Sequence, residues 1–342
     1  MNTKLEILKN VSENEWAEYI LNHKNSTFFH QIGWKNIVEN TYGYKPCNLS
    51  IWDEGKLKGV LPLFLIESKL FGKKLVSQPF TSYGGVCADS DFYTGKLLEA
   101  AKKLCIEEKC SYLELRNIIK NDISEESDKY VTSILELDSD PDILLKNTLK
   151  RNKRKSIYRC SKSDLEWKWT DKTKEFHNIY SHNMRRLGTP VHDERFFKNI
   201  LKEFPDNSKV LVVYKDNLAV YSAFYLMYKD TIINSWSSVL EEYRKYYPTD
   251  FGIWNAIKWA CENNYNYYDF GRSQINSANL DFKERWSAQT KQLHYQYYLN
   301  TAKSIPNITS ESFKRKAFSK MWSSMPLKLT KVAGPGLRSN FP

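Results

Sequence analysis

The sequence predicts a mixed α/β (α+β) protein in which one folding unit occurs twice. In each half a pair of strands, a third strand, a helix and a further strand follow in the same order and with similar spacing. The 342 residues are enough for two domains with a core each. Hydrophobic residues make up 41% and charged residues 27%, a balance typical of soluble globular proteins.

The first copy begins with a predicted hairpin. Strands at 47–52 and 56–66 flank a turn of sequence DEG, and KKLVSQ is a third strand that leads into the loop PFTSYGG. A helix in DFYTGKLLEAAKKLCIEE then precedes the strand at 110–117. The predicted apolar face of this helix consists of Leu97, Leu98, Ala101, Leu104 and Cys105.

The second copy repeats this order. KVLVVY, LAVYSAFYLMY and DTIINSWSS are predicted strands, DFGIWNAIKWACENN is a helix, and a last strand covers 265–272. Residue identity between the halves is low, so the spacing alone indicates the duplication. We expect one domain at 1–142, a second at 143–300 that opens with a basic helix at 143–163, and a basic amphipathic tail at 301–342.

Positive charge is concentrated in two segments. The net charge is +11, and residues 303–342 carry eight Lys and Arg against Glu311 alone. Residues 146–162 carry eight basic residues and no acid. Such clusters favour polyanions, which here means RNA, phosphorylated sugars or anionic lipid headgroups.

Several classes of protein do not fit the sequence. No apolar run approaches the ~18 residues of a membrane span, and the N-terminus lacks the pattern of a signal peptide, so we expect a cytoplasmic protein. The six cysteines and six histidines show no metal-ligand spacing. We therefore expect free thiols and no metal.

The segment NMRRLGTPVHDERFF, residues 183–197, combines a turn with a cluster of polar side chains. Gly188 suits the C-cap of one helix, and Pro190 prevents that helix from continuing. A helix corner does not require Arg185, Arg186 and His192 within eight residues. We interpret the segment as one wall of a site for an anionic ligand.

Several segments together carry a family resemblance. STFFHQIGW, KRNKRKSIYRCSK, RRLGTPVHDERFF, NAIKWACENNYNYYDFGRS and FKERWSAQTKQLHYQY stand in an order that resembles the FemAB family, and more narrowly its BioF2-like acyltransferases found near exopolysaccharide clusters. The resemblance implies tandem GNAT-like domains, as the repeated element order also does by analogy. Better-known members transfer an amino acid from aminoacyl-tRNA to an amine of a peptidoglycan precursor.

The resemblance implies a catalytic lysine in DFKERW. Phe282 and Lys283 match a Phe-Lys pair that places a lysine near the reacting ester. Negative charge develops on the carbonyl oxygen during aminolysis, and a fixed cation there contributes about 2.7–4 kcal/mol. The alternative is a surface lysine paired with Asp281 or Glu284.

Cations of the basic helix are candidates for the anionic acceptor. Arg154, Ile157 and Cys160 match a family pattern R-x-x-I-x-x-A near the sugar-nucleotide site, with Cys in place of Ala. Arg151 and Arg154 offer the guanidinium fork that suits phosphate and carboxylate. A merely solvated helix is the alternative.

Further candidates follow from the same resemblance. The signature G-T-P-V-H makes Arg186 and His192 cleft residues, with His192 a proton acceptor near neutral pH or a structural histidine. Gln31 and Trp34 in HQIGW resemble a family segment near the acceptor site, and Trp34 could equally be a core residue. Two candidates come instead from the ends of predicted strands: Tyr83 in PFTSYGG as a substrate-binding residue and Asp269 in YDFGRS as a second proton acceptor, each equally interpretable as structural.

The donor site lacks one expected motif. Acetyl-CoA enzymes hold the pyrophosphate on a Q/R-x-x-G-x-G/A loop at a helix N-terminus, whereas EEYRKYYPTDFGIWNAIKWA offers Tyr243, Arg244 and the single Gly252. Acetyl-CoA is therefore disfavoured, although Arg244 remains a possible phosphate ligand. We expect no tightly bound cofactor, and aminoacyl-tRNA or acyl-CoA as co-substrate.

The sequence thus predicts a transferase that moves an aminoacyl or acyl group onto an amine of a peptidoglycan or polysaccharide precursor, lipid-linked or nucleotide-linked. One alternative is an acyl-CoA-dependent N-acyltransferase on an amino sugar. The other is a non-catalytic relative that binds RNA or membrane. The basic amphipathic tail is interpretable either as packed against the second domain or as a contact that holds the protein peripherally on the inner membrane face.

Overall fold

The computed structural model describes residues 5–8, 11–68, 72–123, 125–306 and 313–340, apart from the side chains of 313–315. Within these ranges the strands are β1 (Glu6–Leu8), β2 (Lys45–Pro46), β3 (Leu49–Asp53), β4 (Lys56–Leu61), β5 (Phe64–Ser68), β6 (Gly72–Val76), β7 (Cys87–Ala88), β8 (Tyr112–Asn117), β9 (Glu125–Glu136), β10 (Leu165–Thr170), β11 (Ser208–Lys215), β12 (Leu218–Tyr228), β13 (Thr231–Val239), β14 (Tyr267–Gln274) and β15 (Gln289–Leu299). The α-helices are α1 (Glu13–Asn22), α2 (Ile32–Tyr42), α3 (Asp91–Glu107), α4 (Pro141–Ile143), α5 (Arg151–Cys160), α6 (Thr173–Arg186), α7 (Glu194–Glu203), α8 (Pro248–Glu262), α9 (Ala278–Glu284), α10 (Phe313–Ser324) and α11 (Leu327–Arg338).

The chain forms two compact units. Among the described residues, those up to 130 together with 292–306 and 339–340 form the first unit, and 131–291 together with 313–338 form the second. This division assigns 131–142 to the second unit and 292–300 to the first, whereas the sequence-based ranges divide the chain at 142 and 300. The sequence-based ranges remain a prediction of where each domain begins.

The first unit is built on two sheets and α3. Antiparallel β1, β3, β4 and β7 form one sheet. In the other, β8 pairs in parallel with β6 and antiparallel with β15. All five residues on the predicted apolar face of α3 are buried, which confirms that face. The buried side chains of α3 pack with core side chains of β3, β5, β6 and β8.

One predicted strand of the first unit is two strands. The run 56–66 forms β4 and then β5, and the chain passes from one sheet to the other at Pro62 and Leu63. Proline lacks a backbone N–H for a sheet ladder, which favours a break there. The freed N–H of Leu63 donates to Asn48 Oδ1 at 3.1 Å.

The second unit has the predicted strand, strand, strand, helix, strand order. β10, β11, β12 and β13 are antiparallel, and β14 joins β13 in parallel after the crossover through α8. The core contains side chains from these strands, α5 and α8. β10 is an additional edge strand that the sequence analysis did not predict.

The basic helix is shorter than predicted. Residues 144–148 form a π-helical turn, Leu149 and Lys150 are extended, and α5 begins only at Arg151. Leu149 is 3% exposed. The break in the helix therefore places the Leu149 side chain in the core, whereas a continuous helix would direct this side chain elsewhere. Within the described ranges no helix is long and apolar enough to cross a membrane.

Candidate functional site

Lys283 lies on the short helix α9, which follows β14 in the second unit. Its Nζ donates to the carbonyl oxygens of Gly271 at 2.7 Å and Arg272 at 3.1 Å. Among the described residues none of its hydrogen bonds goes to Asp281 or Glu284, the partners of the surface alternative. The side chain is buried, and burial lowers the pKa of Lys283 to about 8 although the charge of Asp269 raises it. Two of three N–H groups are used, which leaves one for a ligand.

Asp269 is buried at the centre of β14. Its Oδ1 accepts from Thr132 Oγ1 at 2.6 Å and from the backbone N–H of Gly271 at 2.7 Å. Gly271 has a φ of +71°, a conformation that favours glycine. This backbone bend directs the Gly271 N–H to Asp269 while its carbonyl accepts from Lys283. The structure therefore brings the two predicted catalytic residues into one polar network.

Lys153 on α5 is a residue that the sequence analysis did not single out. It is 5% exposed, its Nζ lies 2.8 Å from Asp250 Oδ1, and the same Nζ lies 4.5–4.6 Å from the ring centroids of Phe282 and Trp286. Burial lowers the pKa of Lys153, while Asp250 raises it. The predicted substrate-binding residue Phe282 is thus half of an aromatic pair that encloses a buried ammonium.

A sequence signal for Lys153 existed. Lys153, Ile157 and Cys160 are spaced by four and three residues, so Lys153 lies on the same helix face as two buried apolar residues. The abundance of lysine and arginine in this segment hid that position. Asp250 stands in the first turn of α8 and also accepts from Ser156 Oγ.

Two predicted arginines share one carboxylate. Arg186 Nε lies 3.4 Å and Arg244 Nε 3.0 Å from Glu241 Oε2, and all three side chains are about half exposed. Arg186 also donates to Asn183 Oδ1 at 2.9 Å. The predicted substrate-binding residue Tyr243 lies between Glu241 and Arg244 in the sequence and is half-buried against the core of the second unit. Both guanidinium groups are accessible to solvent, and an anionic ligand could take the place of the Glu241 carboxylate between them.

Arg151 and Arg154 lie on the exposed face of α5. Arg154 Nη1 donates to the carbonyl oxygen of Lys146, and Arg159 Nη1 lies 3.4 Å from Tyr247 Oη. Tyr247 has a left-handed φ of +60° directly before α8 begins. The cations of α5 therefore extend beside the start of α8.

His192 is buried rather than presented at a surface. Its ring is 1% exposed, stacks on Phe196 at 4.7 Å, and its Nε2 accepts from Arg338 Nε at 3.1 Å. Burial and the neighbouring Arg338 charge hold the pKa of His192 well below its usual value. These contacts favour the structural interpretation, and a catalytic role for His192 remains a prediction.

Of the three candidates in the first unit, Trp34 and Tyr83 are buried and Gln31 is half-buried. Trp34 is 0% exposed and its ring lies 5.1 Å from Phe29, which in turn lies 5.4 Å from Tyr83. Gln31 Nε2 donates to the carbonyl oxygen of Phe28 at 3.2 Å. Trp34 thus occupies the core, as its alternative interpretation proposed. A substrate-binding role for these residues stays a prediction.

In the described part of the chain no three His, Cys, Asp or Glu side chains are arranged to hold a metal ion. None of the six cysteines, all of which lie in the described ranges, forms a disulfide.

Comparison with known proteins identifies the fold. Residues 146–284 match the family described as acetyltransferase (GNAT) domain. The fold is similar to the crystal structure of FemX, with a TM-score of 0.69, 15% identity, and 86% of this chain and 98% of that chain covered. A tandem GNAT protein from the clavulanic acid biosynthesis pathway gives a TM-score of 0.57 at 8% identity over 88% of this chain and all of that chain.

A third solved structure is the C-terminal domain of a putative lysylphosphatidylglycerol synthetase from Agrobacterium fabrum, with a TM-score of 0.55, 11% identity, and 83% and 91% of the two chains covered. No curated protein matches the sequence. The tandem GNAT fold predicted from the repeated element order is confirmed.

Proposed function

We propose that this protein is an acyltransferase that moves an aminoacyl or acyl group from an activated ester to an amine of a cell-envelope precursor. The observation that carries the proposal is the buried ammonium of Lys283, held by the carbonyls of Gly271 and Arg272 beside Asp269. The GNAT family match over 146–284 includes all of these residues. The putative lysylphosphatidylglycerol synthetase domain, whose fold is similar, is named for a product that is an aminoacylated phospholipid.

Lys283 would act on the developing oxyanion. Attack of the acceptor amine on the donor carbonyl forms the new C–N bond and places negative charge on the carbonyl oxygen. The remaining N–H of Lys283 donates to that oxygen, and the two carbonyl contacts fix its direction. Such a preorganised donor is typically worth about 2.7–4 kcal/mol of barrier. Collapse of the intermediate breaks the C–O or C–S bond of the donor, and the amine proton passes to solvent or a base.

The acceptor is proposed to be anionic. Arg186 and Arg244 converge on Glu241, and the exposed arginines of α5 add further positive charge in the same unit. Guanidinium groups bind phosphate and carboxylate in bidentate geometry. A phosphorylated sugar of a nucleotide-linked or lipid-linked precursor fits this chemistry.

Aminoacyl-tRNA is the donor that we favour over acyl-CoA. At the start of α8, where a GNAT enzyme would place a pyrophosphate, the first turn carries the carboxylate of Asp250 paired with Lys153. This buried ion pair occupies the first turn of α8, where the glycine-rich loop of an acetyl-CoA enzyme would hold the pyrophosphate with its backbone N–H groups. An acyl-CoA-dependent N-acyltransferase on an amino sugar is the second candidate, favoured by the family match itself.

A paired titration and transfer assay tests the proposal. The purified protein is titrated with aminoacyl-tRNA, deacylated tRNA and acetyl-CoA at two salt concentrations, and acyl transfer to amine-bearing envelope precursors is then followed by mass spectrometry. Binding that weakens on deacylation, with transfer lost in Lys283→Met, supports an aminoacyltransferase. Micromolar CoA binding with acetyl transfer supports the second candidate. Salt-sensitive RNA binding without turnover on any acceptor would leave a non-catalytic binding protein.

We further propose that α11 meets an anionic membrane surface. Leu329 and Val332 are 54% and 82% exposed and lie one turn apart, next to the exposed Lys328. An apolar strip beside cations is typical of helices that lie on anionic lipid. Leu329→Glu with Val332→Glu should abolish sedimentation with phosphatidylglycerol vesicles, while phosphatidylcholine vesicles serve as the control. Equal sedimentation of variant and parent with phosphatidylglycerol would rule the surface out.

A further inference from the structure

A second chemical cluster lies in the first unit, apart from the residues of the proposed transfer site. Cys87 Sγ lies 3.1 Å from His23 Nδ1, and His23 Nε2 lies 3.9 Å from Asp89 Oδ1. Cys87 is on β7, Asp89 follows that strand, and His23 is the C-cap of α1. Thiol, imidazole and carboxylate therefore stand in the order that activates a cysteine nucleophile.

The backbone sets the tautomer of His23. The backbone N–H of Asn25 donates to His23 Nδ1 at 3.2 Å, so this nitrogen carries a lone pair and the ring proton resides on Nε2. Nδ1 can thus accept the Cys87 proton, and the Asp89 carboxylate, with Oδ1 3.9 Å from Nε2, is near enough to stabilise the resulting imidazolium through its charge. When Nδ1 takes the thiol proton, it can no longer accept the hydrogen bond from the Asn25 N–H. Asn25 lies in an exposed turn, so water can accept from this N–H instead.

The carboxylate is itself held in place. Asp89 Oδ1 accepts from Tyr19 Oη at 2.9 Å, and Asp89 Oδ2 lies 3.3 Å from Lys58 Nζ. The backbone N–H of Asp89 donates to the Lys58 carbonyl oxygen at 2.9 Å. Asp89 therefore keeps a fixed position from which it stabilises a His23 imidazolium. The same arrangement has no evident need in a core of Trp16, Ile20 and Val60, which a small apolar residue at 87 would fill equally well.

We infer that Cys87 is a reactive thiol that is modified by small soft electrophiles, peroxides being the class available in a cell. His23 takes the thiol proton, and the sulfur attacks one peroxide oxygen. The S–O bond forms as the O–O bond breaks, and the leaving hydroxide takes the imidazolium proton to give water. Sulfur is oxidised to the sulfenic acid and the peroxide is reduced. Cys87 begins β7 two residues after PFTSYGG, in the first unit, so its modification does not involve Lys283 or the other residues of the proposed transfer site.

The test compares thiols within the same chain. Native protein is treated with iodoacetamide at pH 7, and the rate at each cysteine is measured by peptide mass spectrometry. Cys87 is 1% exposed whereas Cys47 is half-buried, so accessibility alone favours reaction at Cys47, and burial raises the pKa of the Cys47 thiol. Cys47 is therefore the internal control, because a faster reaction at Cys87 has to come from activation by His23. We expect Cys87 to react at least tenfold faster than Cys47. This ratio should fall to near one in the denatured chain.

Two variants separate activation from accessibility. His23→Gln removes the base that takes the thiol proton. Asp89→Asn removes the carboxylate while it keeps the size of the side chain, at a position that is about one-third exposed. Each should slow Cys87 alkylation and its oxidation by hydrogen peroxide at least tenfold, with Cys47 unchanged as a check that the fold persists. A Cys87 rate no higher than that of Cys47 in the parent, or an unchanged rate in Asp89→Asn, overturns the inference. Neither outcome depends on acyl transfer.

Discussion

Lys153 Nζ lies 2.8 Å from Asp250 Oδ1, and both side chains are at least nine-tenths buried. This pair joins the basic helix α5 to the first turn of α8, while the rings of Phe282 and Trp286 enclose the ammonium from α9 and the loop after it. Phe282 is the direct neighbour of Lys283. The ion pair thus sets the position of the helix that carries the proposed catalytic lysine.

Breaking this pair should destabilise the protein strongly. Lys153→Met leaves the Asp250 carboxylate unpaired, and Asp250→Asn leaves an ammonium buried between rings, so each change should cost about 3–5 kcal/mol in the free energy of unfolding. The double variant should cost much less than the sum because no unpaired charge remains. Urea denaturation measures all three. Lys155→Met, an exposed lysine on the same helix, is the control and should stay within about 0.5 kcal/mol.

The pH dependence of transfer should reveal the charge of Lys283. Burial lowers the pKa of Lys283 to about 8, and the protonated form is the one that donates to an oxyanion. We therefore expect kcat to fall as the pH rises through about 8, by up to tenfold per unit. Lys283→Arg keeps its proton and should lose this fall, at a lower absolute rate. A wild-type rate that stays constant to pH 9.5 would contradict a role for the ammonium.

The sequence predicted elements better than it predicted contacts. Period-2 and period-3.6 patterns identified α3, α8 and the strands β11 to β14 of the second unit because burial imposes those periods locally. The Lys153–Asp250 pair spans 97 residues, and the contact of Arg338 with His192 spans 146. Such pairs depend on how the elements pack, which no local pattern encodes. Lys283 was predicted from a resemblance, and only the structure shows that backbone carbonyls hold it.

The arginine pair at Glu241 should govern affinity for the anionic substrate. Arg186→Ala or Arg244→Ala should raise KM for that substrate about fivefold to a hundredfold with little change in kcat, since each removes a charge-assisted contact worth about 1–3 kcal/mol. Stability should change by less than about 1 kcal/mol because the pair is exposed. Glu241→Gln should lower KM, as it frees both guanidinium groups. Arg195→Ala, another exposed arginine paired with a carboxylate, is the matched control and should leave KM unchanged.

His192 should make the folded protein sensitive to acid. Burial holds its pKa well below the usual value, so below about pH 6.5 the unfolded chain binds a proton that the folded chain excludes. Stability should then fall with decreasing pH by up to about 1.4 kcal/mol per unit from this residue. His192→Gln should remove this part of the slope while His177, whose pKa is also lowered by burial, keeps its own part. Urea denaturation at pH 7, 6 and 5 measures the difference, and equal slopes in the two proteins would show that His192 protonates without cost.

Two glycines of α11 offer a matched test of how this helix packs in the second unit. A Cβ at Gly334 would lie 2.8 Å from Val191 Cγ1 and 3.1 Å from the backbone N of Val191, whereas a Cβ at Gly336 would meet nothing within 4 Å. Gly334→Ala should therefore push α11 away from Val191, next to His192, and weaken the Arg338 contact. Gly336→Ala should be neutral or stabilising by about 0.5–1 kcal/mol, since alanine favours a helix. Hydrogen exchange across 327–338 distinguishes the two: faster exchange is expected in Gly334→Ala alone, and similar exchange in both variants would mean that α11 does not depend on this close approach.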